Sequence, residues 1–135
     1  MNAKRYLENY QEYENRIQNK QELIQQLRLK AEGSSVAADD VRVQSHGEQD
    51  KMASTICEYL TLENQITAFR NMQQEIVQTV DKLRGAEYDL IMKHYILGYS
   101  LKECRGKLSS SWLTKTHKSG IKQVQEILDK RYAGA

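Results

Sequence analysis

Apolar positions along this chain recur at helical spacing. Tyr6, Tyr10, Tyr13, Ile17, Lys20, Ile24 and Leu27 follow one another in steps of four and three, with a single polar member, the period of a coiled-coil seam. Leu7 and Leu23 widen the stripe, while Gln, Glu, Asn and Lys fill the opposite face. A helix of this kind needs a second helix to cover its apolar side, because isolated helices are marginal in water. Met52, Ile56, Tyr59, Leu62, Ile66, Phe69, Ile76, Val80 and Leu83 supply a second stripe, interrupted once by Gln73. Between the two, residues 33–49 hold Gly33, Ser34, Ser35, Asp39, Asp40, Ser45 and Gly47 and predict a loop or tether. Helices over 1–32 and 50–84 are therefore expected, the second about 50 Å long. They form either a coiled-coil hairpin or an oligomerisation stalk, and the same stripes serve an intramolecular pair or a homo-oligomer.

Past this point the elements shorten. Gly85 stands at a helix C-cap after Leu83 and Arg84, and a helix starting at Glu87 carries Tyr88, Leu90, Ile91 and Tyr95 before Gly98 ends it. Ser100 with Glu103 three residues on has the spacing of a capping box, opening a helix over Leu101, Cys104 and Leu108. Ser109, Ser110 and Ser111 predict a polar turn that also caps a last helix, with Leu113, His117, Ile121, Val124 and Leu128 as its inner face. The expected fold class is all-α: two long helices followed, over 85–135, by a three-helix helix-turn-helix module. The absence of proline, with one Trp and one Phe, suits long helices and is too poor in strand formers for a sizeable sheet.

The formal net charge is only +2, but it is unevenly spread. From Lys93 to Lys122 the chain carries seven basic side chains against the single acid Glu103, whereas residues 1–85 carry eleven basic and thirteen acidic ones. One module is thus suited to a polyanion and the rest is not. In a helix-turn-helix the last helix enters the major groove by its N-terminal half. With the inner face placed as above, the other side presents Trp112, Thr114, Lys115, Lys118, Ser119 and Lys122, the donors and ammonium groups that reach phosphates and base edges. The plain alternative is a lysine-dotted solvated face.

The segment AEYDLIMKHYILGYSLKECRGKL resembles the fourth region of bacterial sigma factors. Its continuation SWLTKTHKSGIKQVQEILDKR, together with VRVQSHGEQDKM near residues 41–52, is similar to small phage-encoded regulators of the RinA and ArpU type, from phages of Gram-positive bacteria. The likeness covers roughly residues 40–130, and SWLTKTHK is its most specific phrase. It implies a sigma-like DNA-binding protein that activates late phage genes in the cytoplasm of the bacterial host, with double-stranded DNA and host RNA polymerase as partners. The family's recognition helix falls on Ser111, Trp112, Thr114, Lys115, Lys118, Ser119 and Lys122, and Lys102 joins the DNA-binding set from the preceding helix. The chain departs from the family's pattern in a shorter turn between Leu108 and Ser111, and in Arg105, which occupies a position that should be small; Gly106 compensates if the helix shifts by one residue.

Other readings are narrower. No Gly-rich phosphate loop, paired carboxylates or Cys/His arrangement indicates an enzyme, so no catalytic residue and no cofactor are expected. Cys57 and Cys104 lie far apart with no ligand spacing and are expected to be buried, and no metal site is indicated. His117 reads as a hydrogen-bonded core histidine, while His94 and His46 have no evident partner; Trp112 either stacks on DNA or packs against the first helix of the triad. The tyrosine stripe reads as coiled-coil core in preference to a partner surface. No apolar run has the length of a membrane span and the polar N-terminus lacks a signal-peptide core, so a cytoplasmic protein without membrane contact is expected. Two competing functions are a small terminase-like DNA-packaging subunit and a coiled-coil adaptor whose basic C-terminus binds an acidic protein.

Overall fold

A computed structural model of the chain describes residues 1–38 and 46–133, with side chains described at 1–32 and 51–133. The protein is all-α, without a strand among the described residues. Both apolar stripes become long helices, α1 (Ala3–Ala38) and α2 (His46–Val80). Three shorter segments follow as α3 (Gly85–Ile91), which widens into a π-helical turn over Met92–Ile96, α4 (Leu101–Arg105) and α5 (Ser110–Ala133). No described helix is long and apolar enough to cross a membrane.

The expected tether over 33–49 is narrower than its composition suggests. Helix α1 continues through Gly33 and the two serines to Ala38, and α2 begins at His46. A single glycine costs a helix only about 1 kcal/mol relative to alanine, too little to stop one that runs on into alanines. Residues 39–45 of that stretch lie outside the described residues. At its other end α2 stops at Val80 and not at Arg84, and its last turn tightens: Lys82 N donates to Thr79 O at 3.2 Å and Leu83 N to Val80 O at 2.9 Å.

The chain divides into two compact units. The first comprises Met1–Glu14 and Asn71–Ala135. Its core joins Leu7 of α1, Ile76 and Val80 of α2, Ile91 and Tyr95 beside the π turn, and Val124 and Leu128 of α5. Gln73, the interruption in the second stripe, is buried because its amide has partners there, donating to the Tyr10 carbonyl (3.2 Å) and the Glu14 carboxylate (2.8 Å). Arg131 fastens the far end of α5, donating to Thr79 Oγ1 (2.9 Å) and pairing with Glu75 (3.1 Å). Gln125 holds the first residues, accepting from Ala3 N (2.9 Å) and donating to the Met1 carbonyl (2.7 Å).

The second unit, Asn15–Arg70, is an antiparallel helical hairpin. Its buried core is Ile17, Ile24 and Ile66, with Tyr59, Leu62 and Phe69 packed against them. Lys20, the polar member of the first stripe, lays its chain along the seam and donates to Gln65 Oε1 at 2.7 Å, with its ammonium 5.9 Å from the Phe69 ring centre. Arg28 donates to the Tyr59 hydroxyl at 3.2 Å. Met52 and Ile56 of the second stripe are exposed instead of buried. Cys57 is exposed and Cys104 half-buried, contrary to the expectation that both are core residues.

Candidate nucleic-acid interface

The elements that hold the basic segment are built in chain order. Gly85 adopts φ +66°, a conformation that costs other residues steric strain, and opens α3. The helix then takes up an extra residue, with Leu97 N donating to Met92 O (3.0 Å) and Tyr99 N to Lys93 O (3.0 Å). The carbonyls freed at this end accept from Gln11 of α1, at 3.3 Å for Tyr95 and 2.8 Å for Ile96. Gly98 turns the chain with φ +84°, and His94 Nδ1 donates to the Tyr99 carbonyl at 2.7 Å, giving His94 the partner the sequence did not suggest. The His46 side chain lies outside the described ones.

Ser100 caps α4 as its spacing predicts, its hydroxyl accepting from Glu103 N at 3.1 Å. The helix is short and buries no side chain fully. Gly106 at φ +58° ends it, and Leu108, expected on its inner face, is exposed beyond that stop. Arg105 fits its crowded position by reaching across the turn, where Nη1 donates to Ser110 Oγ at 2.8 Å.

Helix α5 starts at Ser110, one residue before the expected Ser111, because Ser109 is its cap: the Ser109 hydroxyl accepts from Trp112 N at 3.1 Å. Its buried residues are Thr116, Gly120, Val124 and Leu128, while Leu113, His117 and Ile121 are half-buried. Val124 and Leu128 are thus buried as predicted, whereas in the first half of α5 the inner face is turned from the predicted one, toward the small residues Thr116 and Gly120. The reason is α3, which packs so closely that a Cβ on Gly120 would stand 2.8 Å from Ile91 Cγ1. Ser119 is carried inward with this face. Its hydroxyl donates to Glu87 Oε1 at 3.1 Å and accepts from Gln123 at 3.3 Å, so it is engaged with α3 instead of facing a ligand. Trp112 is half-buried.

His117 faces Tyr95 across the same packing, with Nε2 2.7 Å from the hydroxyl and the rings stacked at 5.8 Å. Burial lowers the His117 pKa, and His94 and Lys4 lower it further. Burial, with the Glu8 carboxylate, pushes the Tyr95 phenol up to about 12. The lowered pKa favours the neutral imidazole, whose Nε2 shares one hydrogen bond with the Tyr95 hydroxyl. Burial likewise raises the Cys104 thiol, which disfavours the thiolate a nucleophile needs.

Ser111, Thr114, Lys115, Lys118 and Lys122 remain exposed. Their separations of three, one, three and four residues place them on one line of α5. Thr114 also donates to the Ser110 carbonyl at 3.0 Å. Lys102 is exposed on α4 and Lys107 on the turn. There is no acid between Ser110 and Lys122, and the first acidic positions of α5, Glu126 and Asp129, lie in its second half. Lys115 and Lys118 therefore lie in the N-terminal half of the 24-residue helix and Lys122 just past its middle, and the free N–H groups of the helix start add a further attraction for an anion. Sequence reasoning misses Gly120 and Gln11, which position this face, and marks Tyr95 only as an apolar position of its helix. A lone glycine inside a helical pattern was the available signal for the first; nothing marked Gln11.

No protein family matches the chain, and neither a curated protein nor a solved structure does.

Proposed function

We propose that this chain is a binding protein, not an enzyme, that docks on duplex DNA through the N-terminal half of α5 and regulates transcription. The observation that carries the reading is the line Ser111, Thr114, Lys115, Lys118 and Lys122, exposed throughout and free of acids. The lysines serve as phosphate contacts that set position, and Ser111 and Thr114 at the helix start are the groups for base edges. Lys102 and Lys107 extend the positive surface from the element before the turn. The likeness to RinA- and ArpU-type regulators supports activation of late phage genes as the biological step, with host RNA polymerase as a partner.

The test is a salt titration of binding to duplex DNA. Each neutralised phosphate contributes about −0.9 to the slope of log K against log salt. The Lys115→Ala/Lys118→Ala pair is expected to make that slope shallower by about two and to weaken binding on the order of fifty-fold at about 0.1 M salt. The helical circular dichroism signal should not change, because both side chains are exposed. Equal affinity and slope for the variant and the parent would overturn the assignment of this face.

A further inference from the structure

We infer that Arg105 is a DNA-contacting residue, held on Ser110 in the free chain and turned onto a backbone phosphate at the start of α5 when duplex DNA docks. The inference rests on the docking proposed above and adds to it a residue that the family likeness sets aside as a departure from its pattern. Arginine carries a permanent charge and five N–H donors in a planar fork. In the structure that capacity is almost unused. Arg105 has one side-chain partner among the described residues, Ser110 Oγ at 2.8 Å from Nη1, and pairs with no carboxylate. Its Nε is buried without a hydrogen-bond partner, alone among the described buried side-chain nitrogens and oxygens. A buried donor without an acceptor is costly, more so on a charged group. A merely solvated surface cation leaves no such donor, so the resting pose is one that the guanidinium leaves once a better acceptor arrives.

The place of the guanidinium selects that acceptor. Arg105 is the last residue of α4, Gly106 at φ +58° turns the chain, and Ser110 is the first residue of α5. The bond between Arg105 and Ser110 lies at the surface. One residue on, Ser111 opens the exposed line through Thr114, Lys115, Lys118 and Lys122, and one turn on, Thr114 donates to the Ser110 carbonyl at 3.0 Å. Arg105 thus stands at the head of the line, with exposed Lys107 on the same turn. Its surroundings suit an anion, because the first N–H groups of α5 attract one and Glu103 is the single acid between Lys93 and Lys122. Turned outward, Nε and one Nη form the two-pronged edge that takes two oxygens of one phosphate.

The experiment is the salt titration of duplex binding, run on the full-length chain and three variants. Arg105→Gln is expected to make the slope of log K against log salt shallower by about 0.9 and to weaken binding about eightfold at about 0.1 M salt. Arg105→Lys should restore the parent's slope, because the slope counts charge. Ser110→Ala frees the guanidinium from its resting partner and should bind no more weakly than the parent. A guanidinium that only braces the turn would instead give equal losses in Arg105→Gln and Ser110→Ala with the parent's slope in both, and that result would overturn the inference. The Arg105 Nε–H resonance, assigned by its disappearance in Arg105→Gln, should shift on adding duplex and stay in place with inorganic phosphate at the same ionic strength. No shift with duplex would deny the contact, and an equal shift with inorganic phosphate alone would replace the duplex by a free anion. A parent without salt-dependent duplex binding would overturn the docking and this contact together, whereas a binding parent matched by Arg105→Gln in affinity and slope would overturn the contact alone.

Discussion

Tyr95 and His117 join the π turn to α5 through one hydrogen bond, and the site favours a neutral imidazole. Burial keeps the imidazole so by lowering its pKa, with His94 and Lys4 acting in the same direction. When the folded-state pKa lies below the unfolded one, the unfolded chain binds more protons between the two values, and stability rises with pH across that interval. Stability is therefore fully present above the ordinary histidine value of about 6.5 and is lost as pH falls through it toward the folded value. The urea midpoint is expected to drop between pH 7.5 and 5.5. His117→Gln keeps an acceptor for the Tyr95 hydroxyl but has no proton to gain, so its midpoint should be flatter over the same range. Parallel declines in parent and variant would show that His117 does not set the dependence.

Gly120 decides how α3 and α5 meet. Alanine would favour the helix by about 1 kcal/mol, but its Cβ would press on Ile91, which is fully buried and stiff at χ1. Overpacking of this kind costs about 1–3 kcal/mol. Gly120→Ala is expected to destabilise the fold by about 1 kcal/mol net, seen as a lower urea midpoint with an unchanged slope, and a raised midpoint would deny the close approach. The same contact explains what the sequence concealed. Hydropathy marks elements by their large apolar residues, and it finds both long helices, the Ser100 cap and the exposed lysines of α5. It does not mark a face chosen for smallness. Thr116 and Gly120 are buried where Leu113, His117 and Ile121 are half-buried, so over the first half of α5 the inner face is rotated and Ser119 goes inward with it. The π turn escapes for a related reason: one extra residue changes the local period, and a 3.6-residue template has no place for it. Met52 and Ile56 continue the α2 stripe by period yet are exposed, and a repeat along one helix says nothing of what covers it.

For the whole molecule, the proposed docking through α5 predicts that duplexes selected from a random pool share one short motif and that Lys115→Ala/Lys118→Ala enriches none; equal enrichment by the variant would deny the assignment of this face. The short α4 bears on this as well. No side chain of it is fully buried: Leu101, Cys104 and Arg105 are half-buried, and the Ser100 cap and the Arg105 bridge to Ser110 hold its ends. Local opening draws on burial, so α4 can open at a small fraction of the free energy that unfolds the core. In the proposed docking, Lys102 is presented to DNA only while α4 is formed. Apparent affinity is then the intrinsic affinity reduced by the fraction of molecules in which α4 is intact, and a partner that clasps α4 would tighten DNA binding without touching DNA.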